Sequence, residues 1–356
     1  MKIKTTKNLL YIFSTIMVLG LALLSFDAPV AASQTAAIPS ATTTPSQEIN
    51  VTPTPTTAPV QTPIPTPTPS LAQQNAQLSI RSATDDIGRG LTTLISNEIT
   101  ARYTDEAYQV KEINGISCYY KEGIKDVDYF VYASYDILYE GSNVPVPTFE
   151  EYLVCIDSEN IAVTTESEDP EIKEALLLSR ASESVSKLYA KEIIRRFKNA
   201  NLAVDEALLS SLVTDSTQLN LDEIRKTTEY IEEYKSFDYL FFEAPEEVSE
   251  FDYYVFVAEN LKIINIGTLA PGGCELFISF DENHYPRIFL GVTSAEGDAF
   301  LKECRTSLEY ALFKETHVDK PFTQAVLTDP DLFEFIQRIT SATETTENTE
   351  ATETIE

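Results

Sequence analysis

Two stretches of this chain share one strand pattern. Residues 127–148 read VDYFVYASYDILYEGSNVPVPT and residues 251–272 read FDYYVFVAENLKIINIGTLAPG. At an offset of 124, Asp128 falls on Asp252, Tyr129 on Tyr253 and Val131 on Val255, and the match runs on through Pro147 and Pro271, Glu151 and Glu275, Asp157 and Asp281. Side chains alternate across a strand, so each stretch presents two faces. The odd face carries Tyr129, Val131, Ala133, Tyr135, Ile137 and Tyr139 in the first copy, and Tyr253, Val255, Val257, Glu259, Leu261 and Ile263 in the second. It is the face expected to meet helices. The even face mixes aromatic and polar residues (Phe130, Tyr132, Ser134, Asp136; Tyr254, Phe256, Ala258, Asn260), which predicts partial exposure or packing on another sheet. A pattern repeated with its flanking strands and turns predicts two copies of one structural unit.

Helical periodicity precedes each set of strands. Ile87, Leu91, Leu94, Ile95, Ile99 and Tyr103 follow the 3.6-residue period before the first set, and Val185, Leu188, Tyr189, Ile193 and Phe197 do so before the second. Further helices are expected from about Asp205, over about 221–233 behind an Asn220 cap, and over 295–313 with Phe300, Leu301, Cys304, Leu308 and Leu312 on one face. Helices followed by antiparallel strands predict an α+β fold.

The ends have another character. Lys2, Lys4 and Lys7 precede the uncharged run 9–26, and Val30 and Ala32 stand where a leader would be cut before Ser33. An 18-residue run is also long enough to remain as a membrane anchor. Either reading places the rest of the chain outside the cytoplasmic membrane, secreted or held at its outer side, with the N-terminal segment touching the membrane. Residues 33–80 are rich in Thr-Pro pairs and are expected to form a disordered linker or stalk. Residues 340–356, with a glutamate every third position from 344, are expected to form a disordered acidic tail. The domain boundaries are therefore 1–32, 33–80, 81–180 for the first copy, 181–339 for the second and 340–356.

A net charge of −30, from 26 basic and 56 acidic residues, argues against nucleic acid and anionic lipid as partners. The four cysteines, Cys118, Cys155, Cys274 and Cys304, allow three pairings or buried free thiols, and the two copies share no cysteine frame.

The segment DYYVFVAENLKIINIGTLAPGGCELFISFDENHYPRIF, preceded by TTEYIEEYKSF, resembles the NTF2-like modules of exported Gram-positive bacterial proteins. The likeness is good over 182–313 and weaker over 81–180, where NVPVP replaces GTLAPG and the linker stands in place of the earliest helix. The resemblance implies two tandem cones, the first truncated, each with helices on a curved antiparallel sheet around a pocket. It implies no catalytic residues.

Chemistry is sparse. The chain has no GxSxG, HExxH, P-loop, GxGxxG or EF-hand pattern, and no metal or cofactor motif. The best acid/base group is Asp136 with Tyr135 and Tyr132, while His284 sits in an expected turn. Candidate binding residues are Tyr129, Tyr135, Asp136 and Tyr253. Three functions stay open: a non-catalytic surface module binding a wall component, peptide or protein partner; a scaffold whose sheets pack together or on a second copy; and a pocket enzyme.

Overall fold

The computed structural model describes residues 68–104, 106–157 and 160–339. The export segment, the linker up to residue 67 and the acidic tail lie outside them. Among the described residues no helix is long and apolar enough to cross a membrane.

The fold is α+β, with a five-stranded and a four-stranded antiparallel sheet. The first has the order β1 (Arg81–Ser82), β2 (Val110–Glu122), β3 (Tyr129–Tyr139), β4 (Val146–Ile156), β5 (Ile161–Thr164). The second has β6 (Ile231–Glu243), β7 (Tyr253–Ile263), β8 (Leu269–Phe280), β9 (Pro286–Ile288). Pairing is equivalent in the two: Tyr129 faces Val154 and Tyr253 faces Ile278, while Glu122 faces Tyr129 and Glu243 faces Tyr253. Each outer long strand has two register shifts against its neighbour, after Val110 and Asn114 in β2 and after Ile231 and Tyr234 in β6. Such bulges bend a strand and deepen its twist. At the second shift of β2, Gly115 takes φ +65°, a conformation that costs glycine little. The aspartates that open the central strands also act alike. Asp128 Oδ2 accepts from the Ile156 amide, and Asp252 Oδ2 accepts from the Phe280 amide at 2.8 Å.

The helices are α1 (Leu71–Ala76), α2 (Asp86–Arg102), α3 (Pro170–Arg180), α4 (Glu183–Ala203), α5 (Glu206–Leu212), α6 (Leu221–Thr228), α7 (Ala295–Thr306), α8 (Leu308–Lys314) and α9 (Lys320–Thr328), with residues 330–339 helical at the end. Helix α1 lies inside the expected linker, held by a Ser70–Gln73 capping box and by Asn75 Nδ2 donating to the Glu122 carbonyl. Helix α6 keeps its Asn220 cap but ends at Thr228, because β6 begins at Ile231. The single helix expected over 295–313 breaks at Ser307, which caps α8, and this rotates Leu308 and Leu312 into solvent. Ile87, in the first turn of α2, is also exposed.

Odd faces of the central strands meet the helices as the alternation requires. Leu91, Ile95 and Ile99 of α2 pack on Val131, Ala133, Tyr135 and Ile137, and Ile193, Ile194 and Phe197 of α4 pack on Tyr253, Val255 and Val257. The even faces depart from expectation in part. Their aromatic residues are covered by helices, not by solvent or another sheet, while the polar Asp136 and Asn260 stay part-exposed as the pattern predicts. Phe130 and Tyr132 lie under α3 and the first turns of α4, and Tyr254 and Phe256 lie under α7 and α8 with Val318. Tyr132 and Phe256 are each buried and do not meet one another.

Helix α4 therefore serves both sheets. Val185, Leu188 and Tyr189 cover the even face of the first, and Ala190 to Ala200 fill the odd face of the second. Such a 21-residue helix, apolar on opposite sides, leaves only narrow polar stripes. One stripe sets the lysines 187, 191 and 198 over the rings of Phe241, Tyr239 and Tyr234 along β6, at 5.9, 5.7 and 5.4 Å.

Candidate functional site

Tyr135 and Asp136 point to opposite sides of β3, so the expected acid/base trio is not assembled. Tyr135 is buried under α2 and its hydroxyl donates to Glu150 Oε2 at 2.8 Å. The same carboxylate takes Arg102 at 2.8 Å and the hydroxyl of Tyr152. Tyr129 is half-buried, edge-on to Tyr120. Tyr253 is buried and shares a 3.0 Å hydrogen bond with Ser186 on α4. Three of the four candidate residues thus belong to packing. His284 holds a turn at φ +58°, its amide donating to the Asp281 carbonyl.

Asp136 is different. Its Oδ1 takes Arg195 Nη2 at 2.6 Å, and Arg195 also reaches Ser134 and Glu192. Glu192 accepts from Ser134 at 2.7 Å, and burial nevertheless pushes its carboxyl upward. This network floors a cleft of about 1020 Å³ between the two sheets. Asn114, Asp136 and Leu138 form one wall and Lys191, Arg195 and Asn199 of α4 form the base. The opposite wall is the continuous run Glu232–Tyr239. Eight successive residues of one strand include both of its faces, so the edge of β6 itself borders the cleft. Only β7 pairs with β6 among the described residues.

A second site went unseen in the sequence. Lys198 of α4 pairs with Glu259 of β7 at 2.9 Å, both side chains buried, and Cys274 Sγ lies 4.0 Å from Glu259 Oε2. Burial opposes the charge on Lys198, but the Glu259 carboxylate beside it more than offsets this and holds the ammonium above the usual lysine range. Burial pushes the Cys274 thiol up to about 12, so it is no nucleophile at neutral pH. Glu259 Oε1 has no hydrogen-bond partner. Lys198, Tyr234 and Cys274 line a cavity of about 140 Å³, walled by Phe197, Leu219, Ile224 and Leu290. The signal for this cluster was a glutamate on the inward face of an otherwise apolar strand.

All four cysteines are free, with Cys118, Cys274 and Cys304 buried and Cys155 half-buried. No family model, no curated protein and no solved structure matches the chain.

Proposed function

We propose that the protein is a pair of NTF2-like modules outside the cytoplasmic membrane, non-catalytic, which bind an extended peptide segment of a protein partner in the cleft between the sheets. The carrying observation is the free edge of β6 along a roomy cleft lined by both halves of the chain. An unpaired edge offers alternate amides and carbonyls to a strand laid beside it, while adjoining side chains select the sequence. The lining carries five acids (Asp136, Glu192, Glu232, Glu233, Asp238) and three bases (Lys191, Arg195, Lys235), which favours a polar ligand of weak positive charge. The equivalent registers, bulges and Asp128/Asp252 contacts support two copies of one module, and the basic, apolar leader supports export.

The test is retention of tiled peptides from surface proteins of the producing cell, with isolated wall as a second bait, followed by amide exchange. Bound peptide should slow exchange in Glu232–Tyr239, and Asp238→Lys should weaken retention at least threefold. Retention by wall polymer alone, or protection confined to other strands, would overturn the reading.

A second reading rests on the Lys198–Glu259 pair. Its cavity, with Lys198, Tyr234 and Cys274 among apolar walls, suits a small, mostly apolar ligand carrying one polar group. Soaking small amides and alcohols while following Tyr234 and Cys274 by NMR would detect such a ligand.

A further inference from the structure

A different cleft, of about 650 Å³, opens on another side of α4 where it meets β9. Four of its lining side chains are arginines and four are glutamates, Glu150, Glu151, Glu166 and Glu192. Two of the arginines are neutralised within the fold. Arg102 is held by Glu150, and Arg180 by Glu151 while lying 4.6 Å over the Tyr285 ring.

The other two are not. Among the described residues, neither Arg196 nor Arg287 has a carboxylate within salt-bridge distance. Arg287 donates to the Ser211 carbonyl, and the Nε of Arg196 is buried without a hydrogen-bond partner. The nearest acid felt by Arg196 is Glu192, whose oxygens already serve Arg195 and Ser134. Burial lowers the Arg196 pKa, and the repelling charge of Arg287 adds to this against Glu192. Glu166 also lines the cleft but is exposed. Two guanidiniums held near each other, one with an empty buried donor, are unfavourable until an anion joins them.

We propose that Arg196 and Arg287 form a binding site for a phosphate-class oxyanion, either free phosphate or a phosphate monoester. Guanidinium presents paired donors that match such oxygens. Two adjacent positive charges favour a group carrying about two negative charges over a single carboxylate. The walls fit an ester as well as the free ion, since Tyr189 and Tyr285 stand beside the arginines with ring centroids 5.9 Å apart.

The test uses the full chain at constant ionic strength, so that screening is held fixed. Inorganic phosphate, glycerol phosphate and acetate are titrated while Tm and binding heat are followed. Phosphate or its ester should raise Tm saturably, and Arg287→Gln should weaken binding at least tenfold. Arg225→Gln, which removes an exposed pair with Asp222 that does not line the cleft, should leave binding unchanged. Binding of the ester alone identifies a group borne on a larger molecule, and equal binding of both identifies the free ion. No saturable response, equal binding of acetate, or binding retained in both Arg287→Gln and Arg196→Gln would overturn the proposal. Where Arg196→Gln fails to fold, the Arg287 variant alone decides.

Discussion

The two sheets pair their strands in equivalent registers yet hide their charges differently. In the first, the central strand offers Tyr135, and the carboxylate stands one strand over at Glu150, met by Arg102 from α2. In the second, the equivalent positions 259 and 274 carry the acid and a cysteine, and Lys198 arrives from α4. The acid has moved across one strand while the cation still comes from the preceding helix. The first pair keeps about a quarter of each side chain exposed, and the second is sealed. A strand frame thus fixes where a buried charge can be met without fixing which strand carries it. A second contrast lies at the rim, where buried Lys121 faces Phe130 and its equivalent Phe242 stacks on Tyr254.

The sealed pair should show the largest effect. Lys198→Met strands Glu259 in the core and should cost about 3–5 kcal/mol, whereas Lys198→Met with Glu259→Leu should recover most of it. Urea unfolding of both variants checks this, and a double variant no better than the single one would break the contrast.

Next comes Lys121. Burial drags its pKa down to about 8 against a weaker pull upward from Glu151, while Asn75 and Ser179 accept from its Nζ. An unfolded lysine keeps its proton to about pH 10.4, so the unfolded chain binds more protons above pH 8. Stability from this group therefore rises from pH 8 to 10, and below 8 its full penalty of roughly 3 kcal/mol applies. Lys121→Met should flatten that rise in thermal melts, and an unchanged pH profile would show that the lysine is better hydrated than its burial implies.

The Arg180–Glu151 and Arg305–Glu275 pairs occupy similar places on the two sheets but differ in burial. Arg180 and Glu151 are both largely covered, while Arg305 is 42 % exposed. Arg180→Ala should cost about 1–3 kcal/mol, and Arg305→Ala under about 1 kcal/mol. Equal losses would mean that the stacking of Arg180 on Tyr285 contributes little.

The smallest effect concerns thiols. Denatured protein should titrate as four thiols, and the native protein should react first at half-buried Cys155: burial, with Asp128 and Asp126, raises this thiol as burial raises the other three, but only the other three are closed to reagent.

Much of this architecture was legible because period two and period 3.6 are local signals. The alternation around Val131 and Val255 identified the inward face, and the Asn220 cap marked a helix start. The periodicity of helix α4 showed one stripe, Val185, Leu188, Tyr189, Ile193 and Phe197, whose first three residues pack on the first sheet and whose last two pack on the second, a division set by partners far apart in the chain. The same distance hid the sites. Lys198, Glu259 and Cys274 meet only through tertiary packing, as do Arg196 and Arg287, and no local spacing encodes either meeting. Asp136 was visible as a polar break in an apolar strand, but its partner Arg195 lies 59 positions away.

Because α4 closes one sheet from outside and fills the other from within, neither half has a natural cutting point. A fragment ending at residue 180 would leave only α3 over Phe130 and Tyr132, stripping the cover that α4 adds, and one beginning after residue 203 would lose the core of the second half. Heat should therefore melt both halves in a single calorimetric transition, and during synthesis the first half has to wait, uncapped, for the helix that opens the second.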